Sequence, residues 1–227
     1  SVKPTFPVYV EGLKSERGKL YSAAYLTSIF NIVKGYFEWV KREHPSRYRA
    51  VNQHFVNTLR PSRGRSQAAE LHKREIYTVD EVRKLVRLPA NNLGEERNRA
   101  AVAFLFLSAM RIGAFMTLPI ECVHLDELMI QQLPERGVKT KNSKAAQTYL
   151  LNIEDLLEVV RAWDAKVRGE LPESFLWYAR LTKEGTFAME ESTATRREVS
   201  QGSRFRAELV EMCERAGIPY RSPHKLR

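Results

Sequence analysis

Between residues 22 and 44 the apolar side chains Leu26, Ile29, Phe30, Val33, Tyr36, Phe37 and Val40 recur at intervals of three and four. That is the period of a helix burying one stripe. Lys34, Lys41 and Arg42 share the helix. Residues 60–74, with Pro61, Ser62, Arg63, Gly64, Arg65 and Ser66 among them, lose the periodicity and turn small, polar and basic. They read as a linker, either a loose tether or a strap that orders along a polyanion, and they set a domain boundary near residue 75.

Beyond the boundary, Thr78 with Glu81 three residues later is a capping box that opens a helix through Val82, Leu85 and Val86. A further helix from about Glu95 runs into residues 100–110, an apolar stretch too continuous for a surface helix. A short helical piece after Arg111 reaches Leu118. Residues 123–133 and 147–151 read as short β segments around a Lys-rich turn at 137–144, which predicts a small antiparallel sheet. Asn152 is placed to cap an amphipathic helix carrying Ile153, Leu156, Leu157, Val160, Trp163 and Val167, ending at Gly169. Residues 203–216 predict another helix with Phe205, Leu209, Met212 and Cys213 inward, stopped by Gly217 and Pro219. Ser222 and Pro223 then suit the N-cap and first position of a new helix whose first turn holds His224 and Arg227.

The 227 residues, 43% hydrophobic and 28% charged, suit a folded chain of two modest domains, 1–75 and 76–227. Two cysteines, Cys122 and Cys213, supply no disulfide framework, and the first residues lack the apolar core of a signal peptide. A reducing cytoplasm is the expected setting. Charge sharpens the division: residues 1–75 hold 14 basic and 6 acidic side chains, against 23 and 21 in the remainder. A front with that excess attracts a polyanion through counterion release, or serves solubility alone.

Arg111 is the one charged residue between Ala100 and Ile120, and a guanidinium does not shed its proton to suit an apolar setting. It implies either a buried carboxylate partner such as Asp126 or an anion-binding site. Gly113 and Pro119 argue against a membrane span with a central arginine. His224 and Arg227, three apart in a helical turn, share a face and suit a phosphate clamp, although the same spacing is common on ordinary surface. Lys139, Lys141 and Lys144 sit on the expected turn, either solvated or reaching into a groove. Cys122 and His124 lack the further ligands of a zinc site, and no Gly-rich phosphate loop is present.

Taken in order, residues 78–82, residues 97–100, the apolar helix ending Ser108-Ala-Met-Arg111-Ile-Gly-Ala, residues 123–126, Lys139 to Lys144 before Thr148-Tyr-Leu-Leu151, and Ser222-Pro-His224-Lys-Leu-Arg227 resemble the tyrosine recombinase (phage integrase) catalytic domain. The basic front, with Phe37-Glu-Trp39 late in its long helix, resembles that family's core-binding domain. The resemblance implies a mainly α fold: an N-terminal helical core-binding domain, and a mixed, mostly helical catalytic domain with a small antiparallel sheet. It implies two domains clamping double-stranded DNA, with a tyrosine attacking a phosphodiester to form a 3′-phosphotyrosyl link without metal or nucleotide cofactor. Arg111 would be the first catalytic arginine, Lys141 the hairpin lysine with Lys139 its rival, His224 the histidine and Arg227 the second arginine. The two arginines would neutralise non-bridging oxygens, Lys141 would protonate the leaving oxygen, and His224 would bond the phosphate or assist proton transfer. The full-length parent would assemble as a tetramer on DNA, with no membrane involved.

Three departures qualify the resemblance. The family's usual Gly two residues before the arginine and acid three after it are Ala109 and Ala114 here. Asp126 or another acid would have to replace the missing carboxylate. The family's nucleophilic tyrosine follows the His-x-x-Arg motif, and none of the nine tyrosines in the sequence holds that place: Tyr220 precedes the motif and Tyr149 lies on the strand after the hairpin. The expectation is therefore a C-terminally truncated fragment that binds DNA without cutting it. The alternative is a non-catalytic helical DNA-binding regulator or architectural protein that uses the basic front alone.

Overall fold

The computed structural model describes residues 5–61, 75–189 and 194–227, and for 194–201 the backbone alone. The chain divides into two units, Ser1–Arg74 and Glu75–Arg227.

In the first unit Pro7 occupies the opening turn of α1 (Phe6–Glu11), where a missing N–H costs nothing. The Ser22 hydroxyl accepts the Tyr25 N–H and starts α2 (Ala23–Glu43), as the capping pattern requires. Asn52 does the same for α3 (Gln53–Thr58), accepting the Phe55 N–H at 2.7 Å. Val10, Leu26, Phe30 and Leu59 form the core, flanked by Phe6, Ile29, Val33 and Phe37. Tyr36, which the periodicity puts in the buried stripe, is exposed; it lies at the edge of that stripe, in line with the exposed Tyr25, Ile32 and Trp39. The linker expected at 60–74 lies, beyond residue 61, outside the described residues.

In the second unit both halves of the expected capping box form at α4 (Val79–Val86): Glu81 N–H to Thr78 Oγ1 at 3.2 Å, and Thr78 N–H to Glu81 Oε2 at 2.8 Å. Helix α5 (Leu93–Ser108) is the centre of the unit, with Ala100 to Leu105 buried without interruption. Phe104 stacks within 4.4 Å of Trp177 and 5.2 Å of Phe115, ring centroid to centroid. Each such burial contributes about 1.5–3 kcal/mol. The helix ends at Ala109, whose φ of 49° is left-handed, and a single turn, α6 (Ile112–Phe115), follows.

The stretch 123–133 is a hairpin and not one strand. Val123–His124 (β1) pairs antiparallel with Met129–Gln132 (β2), because Leu125-Asp126-Glu127-Leu128 turns the chain, with Leu128 at φ 50°. Strand β3 (Ala146–Tyr149) pairs antiparallel with β2 in the order β1-β2-β3, with Ile130 opposite Thr148. Helix α7 (Glu154–Glu170) packs on α5. Its N-cap is Ile153, without a side-chain bond, so Asn152 does not cap it, and Gly169 stays inside the helix. Trp163 Nε1 donates to the Trp177 carbonyl and Trp177 Nε1 to Asp164, which also holds Arg168, so the stretch around residue 177, too short to assign from sequence, is fixed against α7. Helix α8 (Ala194–Ala216) starts earlier than its apolar pattern indicates. The fold is therefore mainly α with a small three-stranded antiparallel sheet.

Candidate functional site

Arg111 is the N-cap of α6, with extended φ −72° and ψ 140°. The left-handed Ala109 turns the chain out of the core, so Arg111 is exposed although Leu107, Ser108 and Met110 around it are buried. Among the described residues its guanidinium has no ion pair or hydrogen bond, and Asp126, the acid proposed to neutralise it, is itself exposed. Of the two alternatives for Arg111, the buried pairing with a carboxylate such as Asp126 is thus not the one formed. The buried arginine of this unit is Arg97, 2% exposed, which donates to the Ala179 carbonyl at 2.8 Å and lies 4.3 Å from the Tyr178 ring centroid. Ala114 is buried against the core, where a carboxylate would pay a large desolvation cost.

The loop joining β2 to β3 carries the lysines. Gly137, at φ 84°, ends a short turn at Pro134–Arg136. The Lys139 N–H then donates to Thr117 Oγ1 at 2.9 Å, and the same hydroxyl donates back to the Gly113 carbonyl at 3.0 Å. Thr117 thereby ties the lysine loop to the single turn that Arg111 caps. Lys141 lies two residues further out, at the start of a tight turn, Lys141–Ser143, in which Asn142 and Ser143 have φ of 61° and 51°. Lys141 is exposed and its ammonium has no partner among the described residues.

His224 and Arg227 were expected in the first turn of an α-helix. The structure has a 3₁₀ turn, Pro223–Leu226, closed by the Lys225 N–H on the Ser222 carbonyl at 2.8 Å, and Ser222 makes no side-chain cap. Three residues per turn eclipses positions i and i+3. Pro223 and Leu226 accordingly point together into the core, and His224 and Arg227 are exposed together. The turn packs against α5, the helix that leads into Arg111. Arg111 and Lys139 therefore sit on directly bonded segments, His224 and Arg227 form a second pair, and Lys141 stands at a loop tip.

Sequence reasoning missed the residues that hold this last turn. Tyr77 donates its backbone N–H to the Lys225 carbonyl at 2.9 Å, and Arg221 pairs with Glu81 at 2.9 Å. Glu81 reads as a helix cap in sequence, and nothing local announces a partner 140 residues away. Burial raises the Glu81 carboxyl, but the bonds from Thr78 and Arg221 outweigh it and leave the group below its ordinary value.

Burial pushes the Cys122 thiol up to about 11, which keeps it protonated and un-nucleophilic near neutrality. Among the described residues no three His, Cys, Asp or Glu side chains cluster as a metal site. No helix among them is long and apolar enough to cross a membrane.

No protein-family model matches the sequence, and no curated protein matches it. Solved structures similar to the chain include a XerA recombinase, at 16% identity and a TM-score of 0.46 over 86% of this chain and 64% of that one. An integrase from a mycobacterium phage is similar at 18% identity and a TM-score of 0.43 over 91% of this chain and 56% of that one. The chain thus spans less than two thirds of the length of either.

Proposed function

We propose that this chain binds double-stranded DNA as part of a site-specific recombinase whose full-length form cuts and rejoins DNA through a 3′-phosphotyrosyl intermediate and assembles as a tetramer on it. The basic front attracts the duplex without regard to sequence. Arg111 and Arg227 neutralise the non-bridging oxygens of one phosphate, Lys141 faces the leaving oxygen, and His224 adds a hydrogen bond. A phosphoryl group in transfer carries charge that unpaired cations stabilise, and no metal is required for that task. The observation that carries this reading is Arg111: it emerges from a buried apolar stretch, exposed and without an acidic partner among the described residues, so its charge is available to an external anion.

None of the nine tyrosines is proposed as a nucleophile. Tyr77 and Tyr178 are buried and hydrogen-bonded inside the second unit, where no phosphodiester reaches them. The 227 residues are therefore expected to bind and not to cut. The test is incubation with a nicked, self-trapping duplex at a range of salt concentrations. Binding that weakens steeply with salt and leaves no covalent protein–DNA adduct supports the reading. An adduct overturns the non-cutting part, and binding insensitive to both salt and Arg111→Ala overturns the phosphate site. Salt-dependent binding that ignores Arg111, Lys141, His224 and Arg227 together would favour a helical binding module that uses the front alone.

A further inference from the structure

Residues 219–222, which lead into the His224–Arg227 turn, belong to no helix or strand, and Pro219 and Pro223 have no N–H to donate. Their order comes from Tyr77. Its hydroxyl accepts the Arg221 N–H and donates to the Arg221 carbonyl, both at 2.7 Å, while its own N–H donates to the Lys225 carbonyl at 2.9 Å. One residue thus brackets the stretch from 221 to 225. Arg221 returns the grip, with its guanidinium 5.2 Å from the Tyr77 ring centroid and Nη1 2.9 Å from Glu81 Oε1. The other Glu81 oxygen caps α4 through the Thr78 N–H, so a single carboxylate anchors both the helix start and Arg221.

We infer that Tyr77, Glu81 and Arg221 are positioning residues, which hold the His224–Arg227 turn in register for a DNA phosphate and act only through that turn. The inference rests on the phosphate reading of His224 and Arg227 given above. Pro223 and Leu226 still seat the turn in the core, but without the bracket its exposed side is less fixed, and the entropy of fixing it would fall on the binding step.

The experiment measures affinity for a duplex of arbitrary sequence against salt concentration, for the full chain and for Arg227→Ala, Tyr77→Phe and their double variant, each checked for a cooperative melt. Arg227→Ala is expected to reduce the slope of log affinity against log salt by about one. Tyr77→Phe is expected to bind about 3- to 10-fold more weakly with a shallower slope, and the double variant to lose less than the sum of the two single losses, because both changes act on the Arg227 contact. A wild-type slope in Tyr77→Phe beside a reduced one in Arg227→Ala, or losses that simply add, would overturn the positioning role and leave the phosphate reading standing. A wild-type slope in Arg227→Ala would overturn both. If Tyr77→Phe does not fold, Glu81→Gln, which keeps the size and a capping oxygen but removes the negative charge that faces Arg221, decides by the same comparison.

Discussion

The Tyr77 hydroxyl and the Arg221 backbone exchange two hydrogen bonds of 2.7 Å across 144 residues of sequence. Burial is the main reason the Tyr77 hydroxyl titrates well above its ordinary 10.0, helped by the Cys213 sulfur 3.4 Å away. Burial likewise raises Cys213, and it lifts Cys122 from 9.0 to about 11. For all three groups the fold prefers the protonated form. Their contribution is complete below the unfolded values and is lost as pH rises, since the unfolded chain then releases protons first. Stability by urea titration should hold to about pH 9 and fall above it, and Tyr77→Phe should flatten the part of the decline above about pH 10.

Acid acts through the opposite group. Although burial raises it, the Glu81 carboxyl ends below its ordinary 4.5 because the Thr78 N–H and the Arg221 guanidinium bond the ionised form. A depressed carboxyl contributes stability above its unfolded value and loses it as pH falls through the folded one. The wild-type chain should therefore weaken as pH drops below about 4.5, and Glu81→Gln should show a shallower acid limb in the same melts.

Ala109 stands in the left-handed region at φ 49° and ψ 26°. An L-residue pays about 1–2 kcal/mol there, against a smaller loss of unfolded-state entropy recovered by having a side chain. Ala109→Gly is expected to raise stability by about 0.5–1 kcal/mol in denaturant melts. A loss of stability would mean that the Ala109 methyl packs more productively than its backbone angle suggests.

Arg111→Ala should separate structure from function. With an exposed guanidinium and no partner among the described residues, its removal should change stability by less than about 0.5 kcal/mol. DNA affinity should fall nonetheless, and the salt slope should lessen by about one. A strong loss of stability would assign Arg111 to the scaffold.

The longer helices with one apolar stripe were legible, whereas the six-residue α1 and α3 were not, and the cap expected at Asn152 did not form. The stripe from Leu26 to Val40, the Thr78–Glu81 box and the stripe from Leu156 to Val167 act within a few residues, so sequence spacing alone carries the signal. The hairpin at 123–132 was not, because two strands of two and four residues around Asp126 and Glu127 leave too few alternating positions to separate from one longer strand. Arg111 illustrates the limit of reading charge by context. Its neighbours are buried, yet one left-handed residue reverses its environment, while Arg97, in an ordinary helical turn, is the one that is enclosed. Arg111, Lys141, His224 and Arg227 were named from residue types in order. The scaffold beneath them was not legible, since Tyr77, Glu81 and Arg221 meet only through tertiary folding.

Helix α5 has buried residues on every side along its second half, so it offers no tolerant face. A saturation library across residues 100–107 should show no three-to-four-residue rhythm of permissive sites. It should show near-uniform intolerance, broken only at Phe106, the half-buried position in that run.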